Sequence, residues 1–192
     1  EGGGGPPALP ERVALPLAVG IDALEVGEIR VRGEGFEVPA LRELRAALRL
    51  DPSGLEVPSL AGRVDGWAAV DAEARVAAAA PFAVELAARI DPAIAAYPKL
   101  PRLLLDLSGP LAALEARVRM LAPAGQPGIG EPGAPSAWAT AQATIRPFEP
   151  LPLGALAMAL DGFEPDAIGL PVPRARLSGG AMLEVVGGAG PA

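Results

Sequence analysis

The chain reads as all-β: an elongated sheet of repeated strands, each with one wet face and one apolar face. Three observations predict this. Apolar and polar residues alternate with period two in at least five windows, as in a strand solvated on one side. Asp-Gly, Asp-Pro and Pro-Ser-Gly groups punctuate those windows, where turns are expected. A set of sequence marks recurs in the same order at an offset of about seventy residues, as in stacked repeat architectures.

Taken in order, residues 1–10 are a Gly/Pro linker, and the repeat segment runs from 11 to 186. The linker lacks a basic stretch followed by an apolar run, so it does not read as a signal peptide. Its lack of an initiator Met suggests an excised fragment. Leu24 and Val26 share one parity, while Ile29 and Val31 share the other, against Glu28, Arg30 and Arg32. The phase therefore slips at Gly27, and a bulge is expected there. In the next window Leu44, Ala46, Leu48 and Leu50 oppose Glu43, Arg45, Arg49 and Asp51. Asp51-Pro52-Ser53-Gly54 and Asp65-Gly66 are turns. Val70, Ala72, Ala74 and Val76 oppose Asp71, Glu73 and Arg75. Val84, Leu86, Ala88 and Ile90 oppose Glu85, Arg89 and Asp91, and Asp91-Pro92 breaks the pattern. Leu114, Ala116, Val118 and Met120 oppose Glu115, Arg117 and Arg119.

Residues 122–137 form a Pro/Gly-rich loop with no apolar period, expected to be exposed and mobile. Ala139, Ala141, Ala143 and Ile145 then oppose Thr140, Gln142, Thr144 and Arg146. From Leu153 to Leu160 small and large apolar residues alternate, ending at Asp161-Gly162. Residues 187–192 are a Gly-rich tail. The competing reading is helical: Ala, Leu, Arg and Glu are strong helix formers, and Leu41, Leu44 and Leu48 also satisfy a helical spacing. Recurrence of the period-two pattern decides for strands.

Composition narrows the function. Of 192 residues, 51% are hydrophobic but only 4% aromatic, so the apolar content is largely Ala, Leu and Val. Mean hydropathy is +0.33. No uninterrupted run approaches the roughly 20 apolar residues of a spanning helix, so no membrane span is expected in this chain. The net charge of −7 disfavours nucleic acid, whose phosphates need a basic surface. Without Cys or His, thiol chemistry, Ser-His-Asp catalysis and His-ligated metals are excluded. Asp71, Glu73 and Glu115 alternate with Arg and read as a solvated face. No Ser precedes Lys99 by three residues, so a Ser-x-x-Lys nucleophile is absent. The glycines of 2–5 and 128–133 lack the strand-to-helix context of a phosphate loop. No cofactor, metal or enzymatic activity is expected.

The recurring marks are Pro81-Phe82, Asp91, Pro101-Arg102 and Leu107-Ser108-Gly109, matched by Pro147-Phe148, Asp166, Pro173-Arg174 and Leu177-Ser178-Gly179. Leu60-Ala61-Gly62 is a weaker third copy. Strands of ten residues would be about 33 Å long, and about ten of them would span roughly 50 Å. Water penalises an open apolar face at about 25 cal/mol per Å². That face must therefore meet a second layer or curl on itself. Alanines interleaved with leucines suit a curved sheet with a narrow apolar interior; a compact sandwich is the alternative.

The stretch from Ala143 to Gly179 resembles the repeats of the TamB family of AsmA-like envelope proteins. The resemblance rests on Arg146-Pro147-Phe148, Pro152-Leu153, Asp161, Pro171 to Pro173 and Leu177-Ser178-Gly179. Leu100 to Val118 is similar to the same step one unit earlier, and the likeness spans Leu15 to Val186. The resemblance implies an elongated curved half-pipe (a β-taco) with an apolar lumen, in the periplasm of diderm bacteria. It implies a parent anchored in the inner membrane outside this segment. The implied role is movement of phospholipid to the outer membrane. A second implied role is assembly of outer-membrane β-barrels with a TamA-like partner.

On that reading the partners are phospholipid acyl chains. The lumen would be lined by Leu44, Leu48, Leu50, Val70 and Val76, then Val84, Leu86, Ile90, Leu114, Val118 and Met120, and finally Ile145, Leu156, Met158 and Leu160. Trp67 and Trp138 suit either a groove rim or plain packing.

Overall fold

The computed structural model describes residues 12, 17–30, 32–33, 36–37, 39–122, 128–129, 136–149 and 152–184. The terminal segments 1–10 and 187–192, and most of the 122–137 loop, lie outside the described residues. So does residue 11, where the sequence places the start of the expected repeat segment.

Every regular element among the described residues is a strand. The order is β1 (Val19–Ile29), β2 (Arg32–Gly33), β3 (Phe36–Glu37), β4 (Leu41–Asp51), β5 (Gly54–Val64), β6 (Ala68–Ala77), β7 (Ala83–Pro92), β8 (Leu103–Pro110), β9 (Leu114–Leu121), β10 (Ala137–Ile145), β11 (Leu153–Phe163) and β12 (Leu177–Glu184). Helix propensity in windows such as Leu41–Asp51 yields to the tertiary gain of burying one face of a ladder. Ten strands form one open, uncurled antiparallel sheet in the order β1-β4-β5-β6-β7-β8-β9-β10-β11-β12, and β2 pairs with β3. Within this sheet each strand meets the next sheet strand in chain order, with β4 following β1, and no described element lies across either face as a second layer.

Alternation fixes the register where it runs unbroken. From β6 to β7 nine consecutive pairs hold without a shift, from Ala68↔Pro92 to Val76↔Val84. Where it breaks, bulges restore the phase. In β5, Pro58 and Ser59 stand opposite the single residue Glu73, one residue more than the partner strand has, and Val57 and Leu60 both keep to the apolar side, opposite Ala74 and Ala72. A proline is tolerated there because a bulge leaves its ladder position unpaired.

Gly27 needs a correction. The apolar phase does change there, but the β1–β4 register is continuous from Glu25↔Arg45 to Ile29↔Leu41, and the shift lies between Ile21 and Leu24. Both strands change phase together. Glu43, at φ 54°, is a left-handed residue lying between Arg42 and Leu44, as Gly27 lies between their partners Glu28 and Val26. A simultaneous change on both strands needs no inserted residue.

The two sets of sequence marks share connectivity but not register. Pro81-Phe82 and Pro147-Phe148 both sit in turns leading into a strand, β7 and β11. Leu107 near the end of β8 faces Leu86, whereas Leu177 opens β12 facing Phe163.

The strand ends are unequal. On one side the connections 52–53, 78–82, 111–113 and 146–152 are two to seven residues long. On the other, four of five are ten to fifteen residues: 30–40, 93–102, 122–136 and 164–176. The segment 164–170 follows β11 on this side. There Trp138 is fully buried and Ile168 is 5% exposed, and Phe163 meets the Trp138 ring edge-on at 5.7 Å. Trp138 is thus a packing residue, while Trp67 stands 60% exposed in the β5–β6 turn.

Candidate functional site: an uncovered apolar face

Side chains from successive strands line up in rows running across the sheet. One row passes through Leu50, Leu55, Val76 and Val84. A second passes through Val57, Ala74, Leu86, Leu107, Ala116, Ala143, Leu156 and Leu183. A third joins Ala46, Leu60, Ala72, Ala88, Leu105, Val118, Ala141, Met158 and Ala181. A fourth joins Val70, Ile90, Leu103, Met120, Ala139, Leu160 and Gly179. Leu114 and Ile145 face each other near the short-turn side. In the first strands Leu44 pairs with Val26 and Leu48 with Ile21.

All fifteen lining residues read from the sequence therefore fall on one face. Val84 and Leu114 are buried, Met158 and Leu160 are 49% and 37% exposed, and the other eleven are half-buried. Half-burial is what neighbouring strands alone provide; a covering layer would bury these side chains. Alternation missed Leu55, Val57 and Leu60 because of the Pro58 bulge. It also missed Leu103, Leu105 and Leu107, because β8 reads as an apolar run.

The opposite face carries charge in cross-strand ladders. Arg75 donates to Glu56 at 2.8 Å and also faces Glu85; the Glu56 bond raises the Arg75 pKa above its usual value. Arg102 donates to Asp91 at 2.6 Å and Arg89 donates to its other oxygen at 3.2 Å. Partial burial pushes the Asp91 carboxyl up, but its bond to Arg102 and the charges of Arg102 and Arg89 outweigh this, and it lies below the usual range. The Glu28 carboxyl is lowered chiefly by its hydrogen bond from Arg30. Asp71, Glu73 and Glu115 are exposed.

Charge is not spread evenly. Strands β4 to β9 all carry acidic or basic residues on this face, but β10 offers Thr140, Gln142 and Thr144, and β11 offers Ala155, Ala157 and Ala159 with a charge only near its end, at Asp161. Among the described residues no group of three or more Asp or Glu could hold a metal ion. Nor, among the described residues, is any helix long and apolar enough to cross a membrane. No family model, curated protein or solved structure matches the chain.

Proposed function

We propose that this chain is a segment of a lipid conduit in the cell envelope, carrying phospholipid acyl chains along the apolar face while head groups stay in the wetter margin. The carrying observation is that apolar rows continue across the sheet with no described layer over them. Such a surface is costly in water and exceeds the scattered apolar residues normal on a soluble surface. Acyl chains suit it because they match its chemistry and need no directional contacts. The reading favours an open trough, curved further in a longer parent into the half-pipe that the TamB resemblance implies. Periplasmic placement and an anchor elsewhere in the parent belong to the same proposal.

A second reading has an observation of its own. Among the described residues, β1 and β12 each pair on one side only, so both edges offer backbone groups to a client strand by augmentation. This favours a scaffold for outer-membrane barrel proteins working with a TamA-like partner.

Photo-crosslinking residues separate the two. Placed at Leu86, Ile90 and Leu156, they are expected to capture phospholipid in cells, with controls at Arg75 and Glu115 silent. Leu86→Arg should abolish capture and leave the strand signal in circular dichroism unchanged. Capture of protein from β1 and β12 with no lipid from the apolar face would favour the scaffold and end the conduit reading.

A further inference from the structure

We infer that the apolar face contains a discrete site for one acyl chain, a lane lying along β10 and walled by β9 and β11. This rests on the reading of that face as lipid-bearing. The sizes of paired residues define it. The floor is Ala139 and Ala141. Val118 and Met120 form one wall, Met158 and Leu160 the other. Gly179 and Ala181 on the edge strand β12, facing Leu160 and Met158, line the same hollow on its outer side. The result is a hollow of about 380 Å³ bounded by these strands, within the range of small-ligand sites.

The lining chemistry chooses the occupant. Two other hollows of comparable size lie on the wet face, and charges ring both. One has Glu56, Glu73, Arg75, Glu85 and Asp106; the other has Asp71, Glu73, Arg89, Asp106 and Arg119. The β10 lane has no charged residue, and its polar lining is limited to Thr140 and Ser178. Thr140 and Ser178 have the opposite parity in their strands, so a ligand here finds no side-chain hydrogen bond. Two methionine walls give a soft, adjustable fit. A hydrocarbon chain meets these terms, and a polar or charged ligand does not. The gap also depends on Gly179, where an added Cβ would meet nothing within 4 Å. A larger residue there would project beside Leu160 without striking the backbone.

The two tryptophans supply the readout. Trp138 immediately precedes Ala139 in β10, while Trp67 lies in the β5–β6 turn, and β6 is four strands from β10. The probes are a brominated fatty acid and a brominated-chain phosphatidylcholine, with Trp67→Phe making Trp138 the only emitter. The expected result is saturable quenching of Trp138 by both probes; quenching by the fatty acid alone would assign the site to free single chains. Gly179→Leu, which favours the strand, should weaken the apparent affinity at least about tenfold. Ala181→Leu is the second variant if the first fails to fold. Undiminished quenching in the folded variant overturns the lane. Co-elution of probe with the chain but no Trp138 quenching also overturns the lane and leaves the conduit reading standing. Absence of any co-elution overturns both.

Discussion

Gly54 closes the β4–β5 turn at φ 151°, and a Cβ there would collide with the backbone carbonyl of Val76. The turn is held by Asp51, whose carboxylate accepts from the N–H groups of Ser53 at 2.7 Å and Gly54 at 3.2 Å. Gly54→Ala is expected to cost about 2 kcal/mol, a fall in Tm of roughly 4–8 °C for a chain of this length, measured by thermal denaturation. A second expectation concerns acid. Asp51, Asp91 and Glu28 all lie below their ordinary values of 3.8 and 4.5. A lowered folded-state pKa means the native state binds fewer protons, so the stability it gives is present above the unfolded value and lost as pH falls through the folded one. With no His or Cys in the sequence, Tm should hold level from about pH 7 to 5 and fall below about pH 4. Asp91→Asn should flatten part of that fall in melts recorded across pH. A slope centred near pH 6 would contradict it.

At the scale of the strand, β12 is the exposed edge. Its sequence from Leu177 to Glu184 carries a single charge, at Glu184, and neither Pro nor Lys, the devices that usually blunt an edge. Met182 is 83% exposed and Leu183 53%. Concentration-dependent association through this edge is expected in sedimentation velocity, and Met182→Lys should shift the protein toward monomer while leaving the fold intact. Strands also show what could be read in advance. β6, β7, β9 and β10 were legible because their alternation is unbroken, and β4 from Leu44 onward, past the phase change at Glu43. β5 was not, because Pro58 and Ser59 reverse the phase midway and make two half-strands look like noise. The lining residues could be listed one strand at a time, but the lane could not. It exists only because Ala141 lies between Val118 and Met158, a matter of register between strands. No single strand's pattern contains that information.

Across the whole molecule, cohesion passes from each strand to the next, so stability should be graded along the sheet, as in architectures held by nearest-neighbour contacts. Hydrogen exchange is expected to be slowest in β6 to β8 and fastest in β1 and β12. A chain ending before Leu177 should keep the exchange pattern of β4 to β9 unchanged; loss of protection throughout would show an undivided cooperative unit instead. The all-β class and the count of about ten strands were legible from period and length. The absence of a covering layer was not, since alternation demands that one face be sheltered and does not say by what. The inequality of the strand ends carries a last consequence. Short turns give the sheet one smooth selvage, and long proline-bearing connections give it a fringe along the other. A bulky cargo sliding over the oily side would travel with its polar part overhanging the smooth border. On the conduit proposal, the direction of approach would be set by which hairpins are long, before any individual side chain is considered.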